Sequence, residues 1–307
     1  MKPIDELRGR ATELTNLHNI LALLQWDQEV MMPPGASPER AEQFGVLSGI
    51  IHQKISNPQL GALLQQAAED SADQTVADQA LVRVVQREHD KNTKLPEDFV
   101  TDFARLTSEA LPVWVNARQQ SDFGIFQPVL KKIVAMCRQQ ADYLGYTDHP
   151  YDALLDLYEE GLTTQEVTAI FAGLKPELIE LVQSLGEKSN GGTSLLANLV
   201  PMNQPAQVLF SEKLLTEIGY DFNRGRQDIS AHPFTTSLGH NDRRVTNRFR
   251  PDSLEFIFSA LHEGGHALYE QGIAENKGST PLDEGVSLGI HESQSRLWEN
   301  IIGRSTP

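Results

Sequence analysis

Apolar residues recur at helical spacing through the first two thirds of the chain. Leu14, Leu17, Leu21 and Leu24, with His18 among them, lie three and four residues apart. Leu60, Leu63, Leu64 and Ala67 keep the i, i+3, i+4, i+7 pattern of a helix with one apolar face. The run Met32-Pro33-Pro34-Gly35 ends the first helical region, because proline fixes φ and lacks the N–H a helix needs. Ser37 and Pro38 then read as an N-cap and a first helical residue. The stretch from Glu69 to Ala80 is polar, lacks glycine and proline, and is compatible with helix. Thr163 and Glu166 form the sequence of a capping box at the start of another helix. Ser189-Asn190-Gly191-Gly192 predicts a loop, and it divides an N-terminal helical region, 1–190, from a second region, 191–307, within one continuous domain.

Near residue 231 the pattern changes. Pro233, Gly239, Asn241 and Asp242 fall between the β-prone segments Phe234-Thr235-Thr236 and Val245-Thr246, which predicts a small hairpin. Two helices follow. Asp252 with Glu255 three residues later suggests a start for the first, and Leu254, Phe256, Ile257, Phe258, Ala260 and Leu261 make its opening turns those of a buried helix. The second, around His291 to Trp298, can form after Gly289.

Composition narrows the functional classes. The chain has 307 residues, 26 Lys+Arg and 42 Asp+Glu, for a formal charge of −16. Such an acidic chain is repelled by phosphate backbones, so nucleic acid is not an expected partner. The apolar run Ile20 to Leu24 is far short of the roughly 20 residues of a membrane helix, so no membrane partner is expected either. The single cysteine, Cys137, excludes an internal disulfide and a cysteine-rich zinc site, and reads as a small buried hydrophobe. With no secretory signal at Met1 to Glu6, a cytoplasmic location is expected.

The chemistry concentrates in Leu261-His262-Glu263-Gly264-Gly265-His266. His262 and His266 are four apart and share one helix face, where both imidazoles can bind a single Zn²⁺. Glu263 is about 100° further round the helix and can reach a bound water as general base. The plain structural alternative is a buried helix whose two histidines are satisfied by hydrogen bonds. Gly264 and Gly265 each cost roughly 1 kcal/mol in a helix interior, which suggests that a substrate backbone approaches closely there. A catalytic zinc needs a third protein ligand. A histidine six residues after His266 would provide one, but that position is Gly272. Acidic candidates are Glu270, Glu275, Asp283, Glu284 and Glu292. Glu270 is constrained by sharing the helix of His266, and spacing prefers Glu292 only slightly over Glu284.

Four ordered segments carry a resemblance. They are His232-Pro233-Phe234, Asp242-x-Arg244-x-Thr246, His262-Glu263-Gly264-Gly265-His266 and His291-Glu292-Ser293-Gln294. Together the chain resembles the carboxypeptidase Taq (thermostable carboxypeptidase 1) family of zinc metallocarboxypeptidases. Trp26-Asp27, Met32 to Gly35 and Tyr151 to Asp156 also look like family segments, with helix packing and helix ends as their expected roles. The resemblance implies a mainly α zinc-peptidase fold with a long groove and a small sheet beside the metal. It implies His262, His266 and Glu292 as ligands of Zn²⁺, with Co²⁺ as a substitute, and Glu263 as general base. Its expected substrate is a peptide trimmed from the C-terminus, and its members are commonly homodimers. His232, Asp242, Arg244 and Thr246 are implied as substrate-binding residues of the site wall. Family members continue past the third ligand with an Ile/Val-Arg-x-x-Ala-Asp motif and a Gly-x-x-Gln-Asp-x-His-Trp motif. Here neither follows Glu292, so a C-terminally truncated family fold is expected. An oligopeptidase with the same zinc chemistry and an inactive metal-binding fragment are the competing expectations.

Overall fold

A computed structural model describes residues 2–69, 74–188, 201–273 and 279–305. Among the described residues the fold is mainly helical, with one small sheet. The helices are α1 Pro3–Val30, α2 Ser37–Ile55, α3 Pro58–Glu69, α4 Val76–Asn92, α5 Glu97–Gln120, α6 Phe123–Leu144, α7 Pro150–Leu155, α8 Thr164–Lys188, α9 Gln204–Glu217, α10 Glu255–Gly272 and α11 Leu288–Arg296. The strands are β1 Gln227–Ile229, β2 Thr235–Gly239 and β3 Asp242–Asn247. No described helix is long and apolar enough to cross a membrane.

The apolar spacing of the N-terminal part becomes a core. Leu7 and Leu14 of α1, Ile51 and Ile55 of α2, Leu60, Leu63, Leu64 and Ala67 of α3, and Leu81 and Val85 of α4 pack in one buried cluster. Burying each such leucine contributes about 1.5–3 kcal/mol. Leu282, from a turn of 3₁₀ helix at Pro281–Asp283, packs against this cluster and ties the metal-site region to it. A smaller core of Leu215, Tyr220, Val245 and Ala267 joins α9, β3 and α10.

Helix ends follow the sequence with some shifts. The proline run closes α1 at Val30, as expected, and makes a 3₁₀ turn at Pro34–Ala36. Ser37 is then already helical, with Ala36 at the cap position and Pro38 in the first turn. In the stretch from Glu69 to Ala80, Gln74 and Thr75 are not helical, and α4 begins at Val76. Thr75 and Asp78 form a capping box that starts α4, which a reading by residue propensity did not anticipate. The box at Thr163 forms as expected, Thr163 N–H donating to the Glu166 carboxylate at 2.9 Å and Glu166 N–H to the Thr163 hydroxyl at 3.2 Å. The loop expected at Ser189 to Gly192 lies outside the described residues. Cys137 lies on α6 and is half-buried, with burial raising its thiol pKa.

The hairpin forms between β2 and β3, pairing antiparallel with Thr235 opposite Val245 and Thr236 opposite Arg244. A third strand was not expected. β1 pairs parallel with the other edge of β3, Gln227 opposite Val245, which gives the order β1-β3-β2. β3 leads into α10 through Asn247, whose buried amide donates to the Phe256 carbonyl at 2.9 Å. α10 begins at Glu255, with the Ser253 hydroxyl accepting from the Glu255 N–H, so Asp252 is not its cap.

Candidate metal centre

α10 is packed on three sides, by the sheet, by α9 and by α11. Its two glycines make this possible. A Cβ at Gly265 would stand 2.7 Å from the Gln294 carbonyl and the Ser295 Cα, so α10 and α11 touch backbone to backbone. A Cβ at Gly264 would stand 2.7 Å from Leu215 and 2.8 Å from Ile218. The glycines admit the chain's own neighbouring elements, and not a substrate backbone as expected. The contact at Gly265 brings Glu292 of α11 over the histidine face of α10.

There His262, His266 and Glu292 converge, with one ligand atom from each lying within 4.8 Å of the others. A Glu292 carboxylate oxygen is 3.4 Å from His266 Nε2 and 3.7 Å from His262 Nε2. A tetrahedral zinc with bonds of about 2.0–2.2 Å spaces its ligands about 3.3–3.6 Å apart, so this donor set fits such an ion. Burial, with His291 and His262 as neighbours, pushes His266 down to about 4. Near neutral pH its imidazole is therefore uncharged, the form that binds metal. Among the other acidic candidates, Glu270 is buried beside His291 and Arg243, and Asp283 is buried in its own 3₁₀ turn. Burial and the nearby Glu270 raise Glu284, and Glu275 lies outside the described residues.

Each histidine is held from behind. His262 Nδ1 lies 2.9 Å from Glu299 Oε2. Arg296 bridges the two carboxylates, at 2.7 Å from Glu292 and 3.2 Å from Glu299. Burial works against ionisation of Glu299, but the hydrogen bond with His262 and the nearby arginines hold it below the usual carboxylate range. His266 Nδ1 lies 2.5 Å from His291 Nδ1, and His291 Nε2 lies 2.9 Å from Glu270 Oε1.

Glu263 points the other way round α10, toward the sheet. It is buried, and the Thr235 hydroxyl of β2 lies 2.8 Å from its carboxylate. Burial raises Glu263 to about 7, against the opposing effects of Thr235 and His262. A carboxyl in this range can exchange a proton near neutral pH.

The expected wall residues divide. His232 is exposed between β1 and β2, edge-on to Trp114, and burial of part of its ring with the charges of Arg118, Arg248 and His262 lowers its pKa. Asp242 and Arg244 pair with each other at 2.7 Å, and the Arg244 guanidinium lies 4.3 Å from the Trp26 ring centre. Trp26, from one of the upstream family segments, thereby packs α1 against the sheet. Thr246 departs from expectation. It is 1% exposed, accepts from Ser230 Oγ at 2.7 Å and the Phe234 N–H at 2.9 Å, and so has no free face for a substrate. Ser230 Oγ also lies 2.6 Å from the His232 carbonyl, so Thr246 shapes the turn that carries His232.

Thr235, Glu299 and His291 were not singled out from sequence. Glu299 follows Glu292 by seven residues, two helical turns, which was a usable signal. His291 adjoins a ligand in the same motif. No spacing rule links Thr235 to a helix 28 residues later.

Known proteins resemble the chain along nearly its whole length. A family model described as carboxypeptidase Taq (M32) metallopeptidase matches residues 6–307. Carboxypeptidase 1 of Bacillus subtilis (strain 168) is 37% identical over 294 residues, covering 95% of this chain and 58% of the relative. Thermostable carboxypeptidase 1 of Thermus thermophilus is 38% identical over 306 residues, covering 95% and 60%. The crystal structure of an M32 carboxypeptidase from Deinococcus radiodurans R1 superposes with a TM-score of 0.86 at 37% identity, covering 99% of this chain and 61% of that one. The chain thus spans about three fifths of the length of the relatives it matches.

Proposed function

Because the chain belongs to the carboxypeptidase Taq (M32) metallopeptidase family, we propose that it serves the hydrolytic release of C-terminal residues from peptides, with zinc held by His262, His266 and Glu292. The observation that carries this reading is the convergence of those three side chains beside the buried Glu263. A zinc ion held there would polarise the scissile carbonyl and lower the pKa of the attacking water toward about 7; Co²⁺ suits the same donors.

The chain's own groups do the rest. The Glu263 carboxylate accepts the proton of the attacking water and returns one to the leaving amine. Thr235 holds that carboxylate in place at 2.8 Å. Glu299 orients His262, and partial burial of the constellation keeps its charges effective. His232, with Asp242 and Arg244 on the adjoining strand, forms the wall along which a peptide lies. Thr246 contributes through the turn it holds.

Glu263→Gln tests the assignment. Zinc content should stay stoichiometric while turnover of an N-blocked peptide is lost. Normal hydrolysis by this variant would remove Glu263 from the mechanism. Stepwise release of single residues supports a carboxypeptidase, whereas internal fragments would make the activity that of an oligopeptidase.

One feature bears on whether turnover needs further polypeptide. Ile170, Phe171, Leu174, Leu178, Leu181, Val182 and Leu185 of α8 are all exposed. A contiguous apolar surface of this kind is a packing surface. The relatives are longer than the part this chain matches by about two fifths of their length, and we propose that this remainder packs on it. Light scattering and peptidase assays of the 307-residue chain, with and without that remainder supplied from a relative, distinguish the cases. A monomer fully active by itself would exclude the need for it.

A further inference from the structure

The metal-facing nitrogen of His266 is Nε2, which lies 3.4 Å from Glu292. Its other nitrogen, Nδ1, is 2.5 Å from His291 Nδ1. Two imidazole nitrogens at that distance need one N–H and one lone pair between them. If His266 is to offer a lone pair at Nε2, its proton sits on Nδ1 and is donated to His291. His291 then carries its own proton on Nε2, 2.9 Å from Glu270 Oε1, which accepts it. The other Glu270 oxygen is 3.5 Å from Arg243 Nη1. Arg243 is 2% exposed and donates to the Asp283 carbonyl at 3.0 Å, so this end of the chain of contacts is anchored in the interior. The two imidazoles meet through their Nδ1 edges, with centres 4.5 Å apart at 29° between planes, and Tyr269 packs edge-on to His291.

We propose that His291, Glu270 and Arg243 are positioning residues that fix the tautomer and ring orientation of His266, so that Nε2 is presented to the metal as a lone pair. Reversing the order of donors would place an N–H at the site and remove a ligand. The arrangement has a direction because Arg243 cannot accept a hydrogen bond and Glu270, as a carboxylate, cannot donate one. Burial opposes ionisation of Glu270, but the hydrogen bond from His291 and the charge of Arg243 outweigh it. His262 is fixed independently by Glu299, which provides an internal control. The inference rests on the zinc reading of the site, but the tautomer itself can be observed without metal.

The experiment uses the full chain labelled with ¹⁵N-histidine. Two-bond ¹⁵N–¹H spectra of the metal-free protein report the tautomer of each imidazole, and chelator competition reports zinc affinity. In the wild type His266 should be protonated at Nδ1. His291→Phe keeps a ring but no nitrogen. It should give a mixed His266 tautomer and weaken zinc binding by about 10–100-fold, the usual effect of losing such a partner. His291→Gln can accept from His266 through Oε1 and donate to Glu270 through Nε2, and should recover most of the affinity with a single His266 tautomer. Glu299→Gln should alter the His262 signals and leave those of His266 alone. The proposal is overturned if His291→Phe, folded by circular dichroism, keeps a pure Nδ1–H His266 and binds zinc within about twofold of wild type. Failure of the wild type to bind zinc would count against the metal reading, while the metal-free spectra would still decide the positioning role.

Discussion

The Thr235 hydroxyl lies 2.8 Å from the Glu263 carboxylate and 2.9 Å from the Glu263 backbone carbonyl. A single hydroxyl proton is thus shared between the charged end of Glu263 and its own backbone, and β2 is stitched to α10 at the residue that carries the proposed proton transfer. This contact opposes the larger effect of burial, which holds Glu263 at about 7.

Removing the hydroxyl should strengthen the effect of burial. Thr235→Val keeps the shape of the strand and deletes a donor that favours the ionised carboxylate. A ¹³C titration of the Glu263 carboxyl in the metal-free chain should show a midpoint near 7 in the wild type and a higher one in the variant. Loss of a hydrogen bond to a charged group should lower peptide turnover below neutral pH by about tenfold. An unchanged midpoint would mean that the hydroxyl proton is directed to the backbone carbonyl.

Glu263 also makes the metal-free fold sensitive to alkali. Burial raises the group from 4.5 to about 7, so the folded chain binds this proton more tightly than the unfolded chain. Its contribution to stability is complete below about pH 4.5 and is lost as pH rises through about 7. Glu263→Gln removes the cost of burying a charge. In urea melts of the metal-free protein it should be more stable than wild type above pH 7, by up to about 3 kcal/mol, with the difference shrinking at pH 5. Equal stabilities at pH 8 would show that the carboxylate is not penalised by its surroundings.

The two glycines of α10 should respond differently to alanine. At Gly265 the new methyl meets backbone atoms of Gln294 and Ser295 at 2.7 Å, which cannot turn aside. α11 must move away and carry Glu292 with it. Gly265→Ala should destabilise the fold by about 1–3 kcal/mol and weaken zinc binding by more than about tenfold. At Gly264 the methyl meets the ends of Leu215 and Ile218, which can rotate. There the helix-propensity gain of about 1 kcal/mol offsets much of the crowding, so stability should change little. Urea melts with zinc titrations compare the two. Equal effects would mean that the contact with α11 does not set the position of Glu292.

Much of this arrangement was legible in the residues. The spacing of Leu60, Leu63, Leu64 and Ala67 foretold a face that is buried throughout. The four-residue interval placed His262 and His266 on one side of α10, where their ring centres are 4.9 Å apart. Spacing alone left Glu292 and Glu284 open as a third donor, and the ordered family segments pointed to Glu292. Other features depend on contacts that no local pattern encodes. β1 is three residues long and too short to show alternation, so its parallel pairing with β3 was not readable. Gly264 and Gly265 were visible, but what fills the space beside them comes from α9 and α11. Thr246 stood in a family motif, yet its burial follows from its place on the central strand β3, with Ser230 and Phe234 hydrogen-bonded to its hydroxyl.

The upstream segment Tyr151 to Asp156 shows the same distinction between a motif and its role. Asp156 ends α7, where it accepts the Gly161 N–H at 2.8 Å and pairs with Lys91 at 3.0 Å and Arg87 at 3.2 Å. Burial disfavours its charge, but these partners together hold it at about 2. A carboxyl depressed in this way stabilises the fold above its unfolded value of 3.8, and that contribution is lost as pH falls through about 2. Asp156→Asn removes the charge while keeping an acceptor for Gly161. Because the ion pairs are partly open to solvent and screened, the expected loss at pH 7 is about 1 kcal/mol. The difference from wild type should narrow as pH falls from about 4 toward 2, and 1 M salt at pH 7 should reduce it. Zinc affinity should change little, since the partners of Asp156 are Gly161 and, on α4, Arg87 and Lys91, none of them a metal ligand. Weakened zinc binding in Asp156→Asn would instead make this segment part of the site's support.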